Sequence, residues 1–204
     1  MKKNKITVIE GSAKFGKDKI ISVSDKTGKE IDKVKSKHTI IATGARARKL
    51  PGVEFDEKKI LSSTGALIMK EVPKSMVIVG SGAIGAEFAY FYNAFGTDIT
   101  IIEMLPTILP VEDKDISDVV AREFKKSGIK IYTESKTEEV KIKGNKVKVK
   151  VSGKVTDEIE ADCVLLATGV TGNIETLGLE DIGVEVYQTG VKVDKTHPTN
   201  VPRP

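Results

Sequence analysis

The feature that most constrains the fold is a glycine-rich turn that lies between an apolar run and a helical pattern. Residues 76–79 are all apolar, as in strands that are buried on both faces of a parallel sheet. The residues that follow have the spacing G-x-G-x-x-G: Gly80, Ser81, Gly82, Ala83, Ile84 and Gly85. Apolar residues then recur at the spacing of one helix face: Ile84, Phe88, Phe91 and Phe95. A strand, a tight turn and a helix that stops at Gly96 are therefore predicted.

The segments that follow continue the alternation of strands and helices. Residues 98–103 have a strand pattern, and residues 113–127 have a second helical pattern that stops at Gly128. The apolar residues of that helix fall on one face: Ile116, Val119, Val120 and Phe124. A further strand pattern follows at residues 129–133. This order predicts an α/β fold whose parallel sheet has right-handed crossovers.

Two stretches of the chain share one organisation. Residues 6–44 and 129–169 each contain a strand, a lysine-rich hairpin and an apolar strand that closes on Ala-Thr-Gly. Turn signals at residues 25–28 and 144–145 predict short strands at 6–9, 19–24, 30–35 and 39–42, and at 140–143, 146–151 and 162–167. Only the second stretch follows a strand–helix–strand unit, so we expect the first to be the back half of a domain whose front half this sequence lacks. The alternative is two unrelated β-meanders that end alike.

Composition restricts the classes of function. Of 204 residues, 39% are hydrophobic and 30% are charged, with a net charge of +4, which is typical of one or two globular domains. No apolar run approaches the ~20 residues of a membrane span, and lysines alternate with acids, so neither a membrane nor nucleic acid is expected as a partner. The single cysteine, Cys163, excludes an internal disulfide and a cysteine-pair redox centre, and its apolar neighbours predict a buried, inert thiol. With two histidines, no metal site is predicted.

The glycine turn has the chemistry of a dinucleotide-binding site. Gly80 permits the tight turn, Gly82 permits close approach of a pyrophosphate, and Gly85 permits close packing of the helix on the strand. The start of the helix offers phosphates unpaired N–H groups and the positive end of a dipole. Glu103, 23 positions after Gly80, can accept hydrogen bonds from ribose hydroxyls and would repel a 2′-phosphate. These residues predict an NAD site in preference to an NADP site; the alternative is a structural glycine turn.

The sequence also raises two questions about this helix: the role of Glu87 and the placement of its aromatic residues. Glu87 either complements the helix dipole or places a carboxylate near the nicotinamide. Five of the ten aromatic residues lie between positions 88 and 95, so most of them are expected in the core contact of that helix. Tyr90 and Tyr92 are expected to face a neighbouring domain.

Stretches along the whole chain resemble the dihydrolipoyl dehydrogenase branch of the FAD-dependent pyridine nucleotide–disulfide oxidoreductases. The most specific is residues 60–67, followed by residues 72–73 and the glycine turn. Further matches lie at residues 42–44, 50–52, 169, 173, 177–179 and 199–202. Residues 62–67 favour this branch over mercuric or NADH-oxidising relatives.

The resemblance implies a fold and a set of cofactor contacts. A Rossmann-like NAD-binding domain, with a parallel sheet, helices and a β-meander, would occupy residues 75–190 within a partial FAD domain. Residues 1–45 would belong to the FAD domain, 46–74 would connect the two domains, and 191–204 would return to the FAD domain. The implied NAD contacts are the turn residues 80–85, Glu87, Glu103, Val140 in the adenine pocket and Gly169 near the nicotinamide. The implied FAD contacts are Ala13, Thr43 and Gly44.

In that family, electrons pass from dihydrolipoyl thiols to a cysteine pair, then to FAD and then to NAD⁺. The resemblance also implies a homodimer that serves 2-oxo acid dehydrogenase complexes in the bacterial cytoplasm or the mitochondrial matrix. This sequence lacks the family's FAD glycine motif, cysteine pair and interface domain with a His–Glu base, and residues 170–172 replace a common Arg-x-Pro. We therefore expect a module that binds NADH, does not reduce lipoamide and does not itself retain FAD. The alternative is a stand-alone nucleotide-binding or interaction module without catalysis.

Overall fold

The computed structural model describes residues 2–202, which form two compact units. The larger unit is residues 47–170, and the smaller unit combines residues 2–46 with residues 171–202. The strands are β1 (Ser12–Phe15), β2 (Ile21–Ser24), β3 (Glu30–Val34), β4 (Ala45–Ala47), β5 (Ile60–Leu61), β6 (Ser75–Val79), β7 (Asp98–Ile102), β8 (Lys130–Tyr132), β9 (Ser135–Lys143), β10 (Lys146–Gly153), β11 (Asp157–Ala161), β12 (Cys163–Leu166), β13 (Val170–Gly172), β14 (Val186–Tyr187) and β15 (Gly190–Val191). The α-helices are α1 (Ser63–Leu67), α2 (Ala83–Ala94) and α3 (Lys114–Lys126), and 3₁₀ helices lie at Lys2–Asn4 and Glu180–Ile182.

The larger unit is built on a parallel sheet with the strand order β5-β12-β6-β7-β8. Alternate residues of β6 enter different cores. Met76 and Ile78 pack in a cluster with residues of α2 and α3. Val77 and Val79 pack in a second cluster with valines of the antiparallel sheet formed by β9, β10 and β11. This arrangement of helices, parallel sheet and β-meander in three layers confirms the predicted α/β fold class.

Helical crossovers connect the central strands in the order β6–α2–β7–α3–β8. Gly96 follows α2 with a φ of +89° and provides the predicted stop. Asp113 caps α3, since its side chain accepts a hydrogen bond from the backbone N–H two residues further on at 2.9 Å. The central strands β6, β7 and β8, and the helix α3, begin and end within one residue of their predicted bounds. Ile116 and Val119 of α3 were predicted to face the core but are 56% and 47% exposed. The face of α3 that is buried against the sheet is narrower than the face that carries apolar residues.

The aromatic residues of α2 also differ from their predicted positions. Tyr92, expected to face a neighbouring domain, is 3% exposed, and its hydroxyl donates to the carbonyl oxygen of Ala66 at 2.6 Å. Phe91 and Phe95, expected in the core, are 51% and 62% exposed. Small residues such as Ala89, which is fully buried, occupy the contact with the sheet, because they let helix and sheet pack closely. The sequence pattern assigned that contact to the large side chains.

The loop between β9 and β10 agrees with its prediction, whereas β9 begins five residues before the predicted strand 140–143. Gly144, at a φ of +60°, and Asn145 form the loop. Lysines on the outer face form ion pairs, such as that of Lys148 with Glu158 at 2.6 Å. The alternating lysines of this region are thus part of a solvated sheet face. β11, which adds a third strand to this sheet, was not predicted.

The segment 46–74, predicted only to connect two domains, adds an edge strand to the parallel sheet. Ile60–Leu61 pairs in parallel with β12 as strand β5. The hydroxyl of Ser62 accepts a hydrogen bond from the N–H of Gly65 at 3.3 Å and so caps the short helix α1. A strand of two residues is too short for its period to be read from sequence. The domain bounds 75–190 stay a prediction, and the compact unit itself runs from residue 47 to residue 170.

In the smaller unit, β1, β2 and β3 form an antiparallel sheet. The predicted turn at residues 25–28 is present, with Asp25 accepting hydrogen bonds from the hydroxyl and the N–H of Thr27 at 2.6 and 2.8 Å. These hydrogen bonds lower the pKa of the Asp25 carboxyl. A separate apolar cluster of this unit contains Leu177, Leu179 and Val184. Strands β14 and β15 of the same unit pair as a short antiparallel hairpin.

Two predicted strands of the smaller unit are wrong. Residues 6–9 and 39–42 have no strand geometry, and Ile6, Val8 and Ile40 are 50%, 60% and 89% exposed. The strand that forms near the first of these segments is β1, which pairs with β2. An apolar run becomes a strand only where a neighbouring backbone pairs with its N–H and C=O groups, and the run itself does not carry that information. The similarity of the two stretches therefore holds for their hairpins and not for their closing strands.

No helix within residues 2–202 is long and apolar enough to cross a membrane. In the same part of the chain, no group of three or more His, Cys, Asp and Glu side chains is placed to hold a metal ion.

Candidate functional site

A cleft of about 820 Å³ lies at the carboxyl ends of the central parallel strands, within the larger unit. In open α/β sheets this edge is where ligands bind. Its lining comes from residues 79–84, 102–105, 135–140 and 167–169, together with residues 48–51 and 53. The structure thus brings together the glycine turn, Glu103, Val140 and Gly169.

The glycines of the turn have two different roles. A Cβ atom on Gly80, whose φ is +95°, would lie 2.6 Å from the carbonyl oxygen of Ala167. A Cβ atom on Gly85 would lie 2.0 Å from the carbonyl oxygen of Gly80. A Cβ atom on Gly82 would meet no atom within 4 Å, and this residue lines the cleft. Gly80 and Gly85 therefore let backbone segments approach each other, whereas Gly82 leaves room for a ligand.

The first residues of α2 line the cleft without a capping side chain. Gly82 is the N-cap residue and makes no side-chain hydrogen bond, and the first turn contains no acidic residue. The first N–H groups of a helix have no partner within the helix, and the dipole of the helix is positive at this end. The start of α2 is therefore suited to a phosphate or pyrophosphate group.

Glu103 follows β7 and is 8% exposed. Its Oε2 accepts hydrogen bonds from the N–H and the hydroxyl of Ser81, at 2.8 and 2.7 Å. Its Oε1 accepts one from the N–H of Leu105 at 2.9 Å. Each carboxylate oxygen has two acceptor positions, so Oε1 keeps one for a ligand. Glu103 also fixes the glycine turn through Ser81, which the spacing of the motif does not reveal.

Strand β9 forms the part of the lining next to Glu103. The N–H of Ser135 donates to the backbone carbonyl oxygen of Glu103 at 2.9 Å and ties the start of β9 to the end of β7. Val140, 8% exposed, lines the cleft from the same strand, and its contact with adenine stays a prediction. Thr137 lies between these residues, and within residues 2–202 its buried hydroxyl has no hydrogen-bond partner. Thr137 was not predicted as a site residue, because the sequence shows only a β-branched polar residue among charged neighbours.

Gly169 lies in the lining beside Arg48. Gly169 has a φ of +100°, and its carbonyl oxygen accepts the N–H of Arg48 at 3.0 Å. The hydroxyl of Thr168 donates to the carbonyl oxygen of Arg48 at 3.1 Å. The guanidinium of Arg48 donates to the carbonyl oxygen of Val170 at 3.5 Å and lies beside Gly169. The cleft is therefore lined by the cationic side chain of Arg48, which was not predicted as a site residue.

Glu87 does not belong to the lining of this cleft. It is exposed on α2 and borders a second groove of about 700 Å³ between α1 and α2. The exposed rings of Phe91 and Phe95 line the same groove. The predicted contact of Glu87 with NAD stays a prediction, and the shape of the cleft does not support it.

The residues predicted to contact FAD lie in the smaller unit. The hydroxyl of Thr43 donates to the carbonyl oxygen of Asn173 at 2.7 Å, and the side-chain amide of Asn173 donates to the carbonyl oxygen of Thr43 at 3.2 Å. The carbonyl oxygen of Gly44 accepts the N–H of Asn173 at 3.0 Å. Ala13 is exposed on β1. Their contacts with a flavin stay a prediction.

Cys163 lies on β12 in the core of the parallel sheet and is 1% exposed. Burial, with a contribution from the neighbouring Asp162 carboxylate, raises the pKa of the thiol to about 12. Because the thiolate is the reactive form, we expect the folded protein to react with DTNB on the order of a thousandfold more slowly than the unfolded protein. The measurement is DTNB absorbance before and after addition of guanidinium chloride. Rapid labelling of the folded protein would show that the thiol is accessible and the prediction wrong.

The chain belongs to the pyridine nucleotide-disulphide oxidoreductase family, whose sequence profile matches residues 1–203. The curated relatives include a dihydrolipoyl dehydrogenase of Rhizobium etli, which is 42% identical and matches 98% of this chain and 45% of its own length. The mitochondrial dihydrolipoyl dehydrogenase of Pisum sativum is 41% identical and matches 98% of this chain and 40% of its own length. The chain thus spans less than half of the length of these relatives. These findings confirm the resemblance that the sequence indicated.

Two solved structures have folds that are similar to the fold of this chain. The HOCl-induced flavoprotein disulfide reductase RclA of Escherichia coli superimposes with a TM-score of 0.82 at 30% identity, over 97% of this chain and 44% of that protein. LpdA of Mycobacterium tuberculosis superimposes with a TM-score of 0.79 at 26% identity, over 96% of this chain and 41% of that protein. Both comparisons support the α/β fold class.

Proposed function

We propose that the cleft of the larger unit binds NAD(H), and that the chain is the NAD(H)-binding module of a dihydrolipoyl dehydrogenase. The observation that carries the proposal is the open acceptor position on Oε1 of Glu103, in the same cleft as the uncapped start of α2. In a dinucleotide, a ribose diol and a pyrophosphate are adjacent groups. A carboxylate acceptor and a helix N-terminus are the protein groups that bind them.

The residues of the cleft fit the successive parts of this ligand. The open space beside Gly82 would take the pyrophosphate, and Glu103 would take the adenosine ribose. Beyond the ribose, β9 would border the adenine, because its first residue is bonded to the backbone of Glu103. Gly169 and Arg48 would border the nicotinamide end, since the guanidinium of Arg48 lies beside Gly169.

The charges near Glu103 favour NAD over NADP. A 2′-phosphate would stand against the Glu103 carboxylate, which is buried and therefore poorly screened. Lys136 lines the same cleft, but its ammonium is paired with Glu138 at 3.2 Å. The 2′-phosphate would therefore gain little from this lysine.

When bound, the nicotinamide of NAD⁺ supplies the group that accepts a hydride. The part of this chain is to bind the pyrophosphate and ribose and to hold the nicotinamide end near Gly169. We extend the proposal to the whole protein as oxidation of dihydrolipoyl groups, with FAD contacted by Ala13, Thr43 and Gly44. The whole protein would act as a homodimer with 2-oxo acid dehydrogenase complexes, in the bacterial cytoplasm or the mitochondrial matrix. The names and identities of the relatives support this extension.

The proposal is tested by titrating the purified protein with NADH and, separately, with NADPH, followed by nucleotide fluorescence. We expect saturable NADH binding and NADPH binding at least about tenfold weaker, equivalent to about 1.4 kcal/mol. A parallel assay with lipoamide should show no NADH-dependent turnover, since the chain has one cysteine and hence no cysteine pair. Absence of saturable NADH binding would refute the site, equal NADPH binding would refute the preference, and lipoamide turnover would refute the assignment as a binding module.

A further inference from the structure

Thr137 is the residue of the cleft whose hydrogen bonding is incomplete. Its hydroxyl oxygen is buried, and within residues 2–202 no donor or acceptor contacts it. The residue as a whole is half-buried and lines the cleft, so its exposed part is not the hydroxyl. A buried hydroxyl without a partner is unfavourable, because it loses its hydrogen bonds to water and gains none in return.

A bulge explains why a polar side chain lies on an apolar face here. In the register of β9 with β10, Thr137 is opposite Val151 and Glu139 is opposite Lys150, which leaves Glu138 as the extra residue. Because of this extra residue, side chains three positions apart, at 137 and 140, share one face of the strand. Their cross-strand partners are valines of the buried cluster between β10 and the parallel sheet. Among residues 2–202, the hydroxyl on this face therefore has no hydrogen-bond partner.

The position of Thr137 relates it to one end of the proposed ligand. It lies two residues along β9 from Ser135, whose N–H is bonded to the backbone of Glu103. Side chains two apart on a strand face the same side, so Thr137 continues the lining beyond the residue that would bind the ribose. The adenine ring is the next group of the ligand in that direction.

We propose that the Thr137 hydroxyl is a hydrogen-bonding partner of the adenine ring of bound NAD(H), an inference that rests on the proposed NAD(H) site. Because the hydroxyl is buried in the unliganded protein, this hydrogen bond requires a change of χ1 rotamer on binding that turns the hydroxyl toward the cleft. A hydroxyl both donates and accepts, so it can pair with a ring nitrogen or with the 6-amino group. Val140, on the same face, supplies an apolar surface for the ring.

The test uses Thr137→Val, which has nearly the same shape and no hydroxyl, and Thr137→Ser, which keeps the hydroxyl. We expect the valine variant to bind NADH about fivefold more weakly, the effect of one neutral hydrogen bond, and the serine variant to bind within about twofold of the unaltered protein. The same fivefold loss is expected with ADP-ribose, which contains the adenine and lacks the nicotinamide. Thr156→Val, at an exposed position outside the cleft lining, is the control and should bind normally.

A second measurement separates this role from a purely structural one. Without ligand, Thr137→Val should raise the melting temperature, because the variant no longer buries an unpaired hydroxyl. Opposite changes in unliganded stability and in NADH affinity are the expected result. If the unaltered protein binds NADH and Thr137→Val binds it equally well, the inference about Thr137 is wrong and the NAD(H) site stands. Loss of both stability and affinity would assign Thr137 to packing, and failure of the unaltered protein to bind NADH would refute the proposed function itself.

Discussion

Replacement of Gly85 by alanine should lower the free energy of unfolding by about 3 kcal/mol and abolish NADH binding. The added Cβ atom would lie 2.0 Å from the carbonyl oxygen of Gly80 and 3.0 Å from its carbonyl carbon. Both are backbone atoms, so no side chain can move aside, and α2 must shift away from the turn. Gly80 is itself confined, because an atom added to it would lie 2.6 Å from Ala167. The shift therefore distorts the same turn that would hold the pyrophosphate.

Gly82→Ala is the matched control for this substitution. A Cβ atom at this position would meet no atom within 4 Å, and the φ of −64° is accessible to alanine. The cost to folding is that of a poorer helix N-cap, about 1 kcal/mol or less. The methyl group would nevertheless occupy the space of the ligand, so NADH affinity should fall at least about tenfold. Urea unfolding followed by circular dichroism, together with NADH titration, distinguishes a glycine needed for folding from one needed for binding.

Two results would contradict the roles of Gly85 and Gly82. If Gly85→Ala unfolds at the same urea concentration as the unaltered protein, the close contact between α2 and the turn is not as described. If Gly82→Ala retains its NADH affinity, the pyrophosphate does not lie against that residue.

The strands and helices that could be predicted from sequence are those in which the pattern of apolar residues agrees with the surfaces that are buried in the fold. Strands β6, β7 and β12 are buried on both faces, so their apolar runs were sufficient to identify them. The segment 39–42 has an equally apolar run and is not a strand, because no strand of the described residues, 2–202, pairs with its backbone. Tyr92 was misplaced for a related reason, since its hydroxyl is satisfied by the distant carbonyl oxygen of Ala66. Contacts between segments far apart in sequence decided these cases.

In the candidate site, too, residues fixed by local spacing could be predicted, and residues placed by distant contacts could not. Glu103 could be predicted because the length of a strand–helix–strand unit fixes its distance from Gly80 along the chain. Its hydrogen bonds to Ser81, and the unpaired hydroxyl of Thr137, depend on side-chain positions and on a bulge in β9. Arg48 comes beside Gly169 through backbone pairing of segments more than 100 residues apart. No spacing rule connects these positions.

The second large effect is expected for Glu103→Gln, which should weaken NADH binding by about 10- to 100-fold, the range for one hydrogen bond to a charged group. A carboxylate accepts from Ser81 on one oxygen and from Leu105 on the other. An amide has one oxygen and one NH₂ group, so one of these donors must face another donor. The variant should therefore also lose about 1–3 kcal/mol of stability.

The nucleotide preference separates the role of Glu103 in binding from its role in folding. Without the carboxylate, a 2′-phosphate is no longer repelled, so NADH should lose more affinity than NADPH and the ratio of their dissociation constants should approach one. The control is Glu123→Gln, because Glu123 is an exposed residue of α3 outside the cleft lining and its replacement makes the same change in net charge. This variant should alter neither the ratio of the NADH and NADPH dissociation constants nor the stability of the protein. Titrations of both variants at low and at high salt, with urea unfolding of each, complete the measurement. If Glu103→Gln weakens NADH and NADPH equally, Glu103 acts only by holding the glycine turn, and the ribose must be bound by another group.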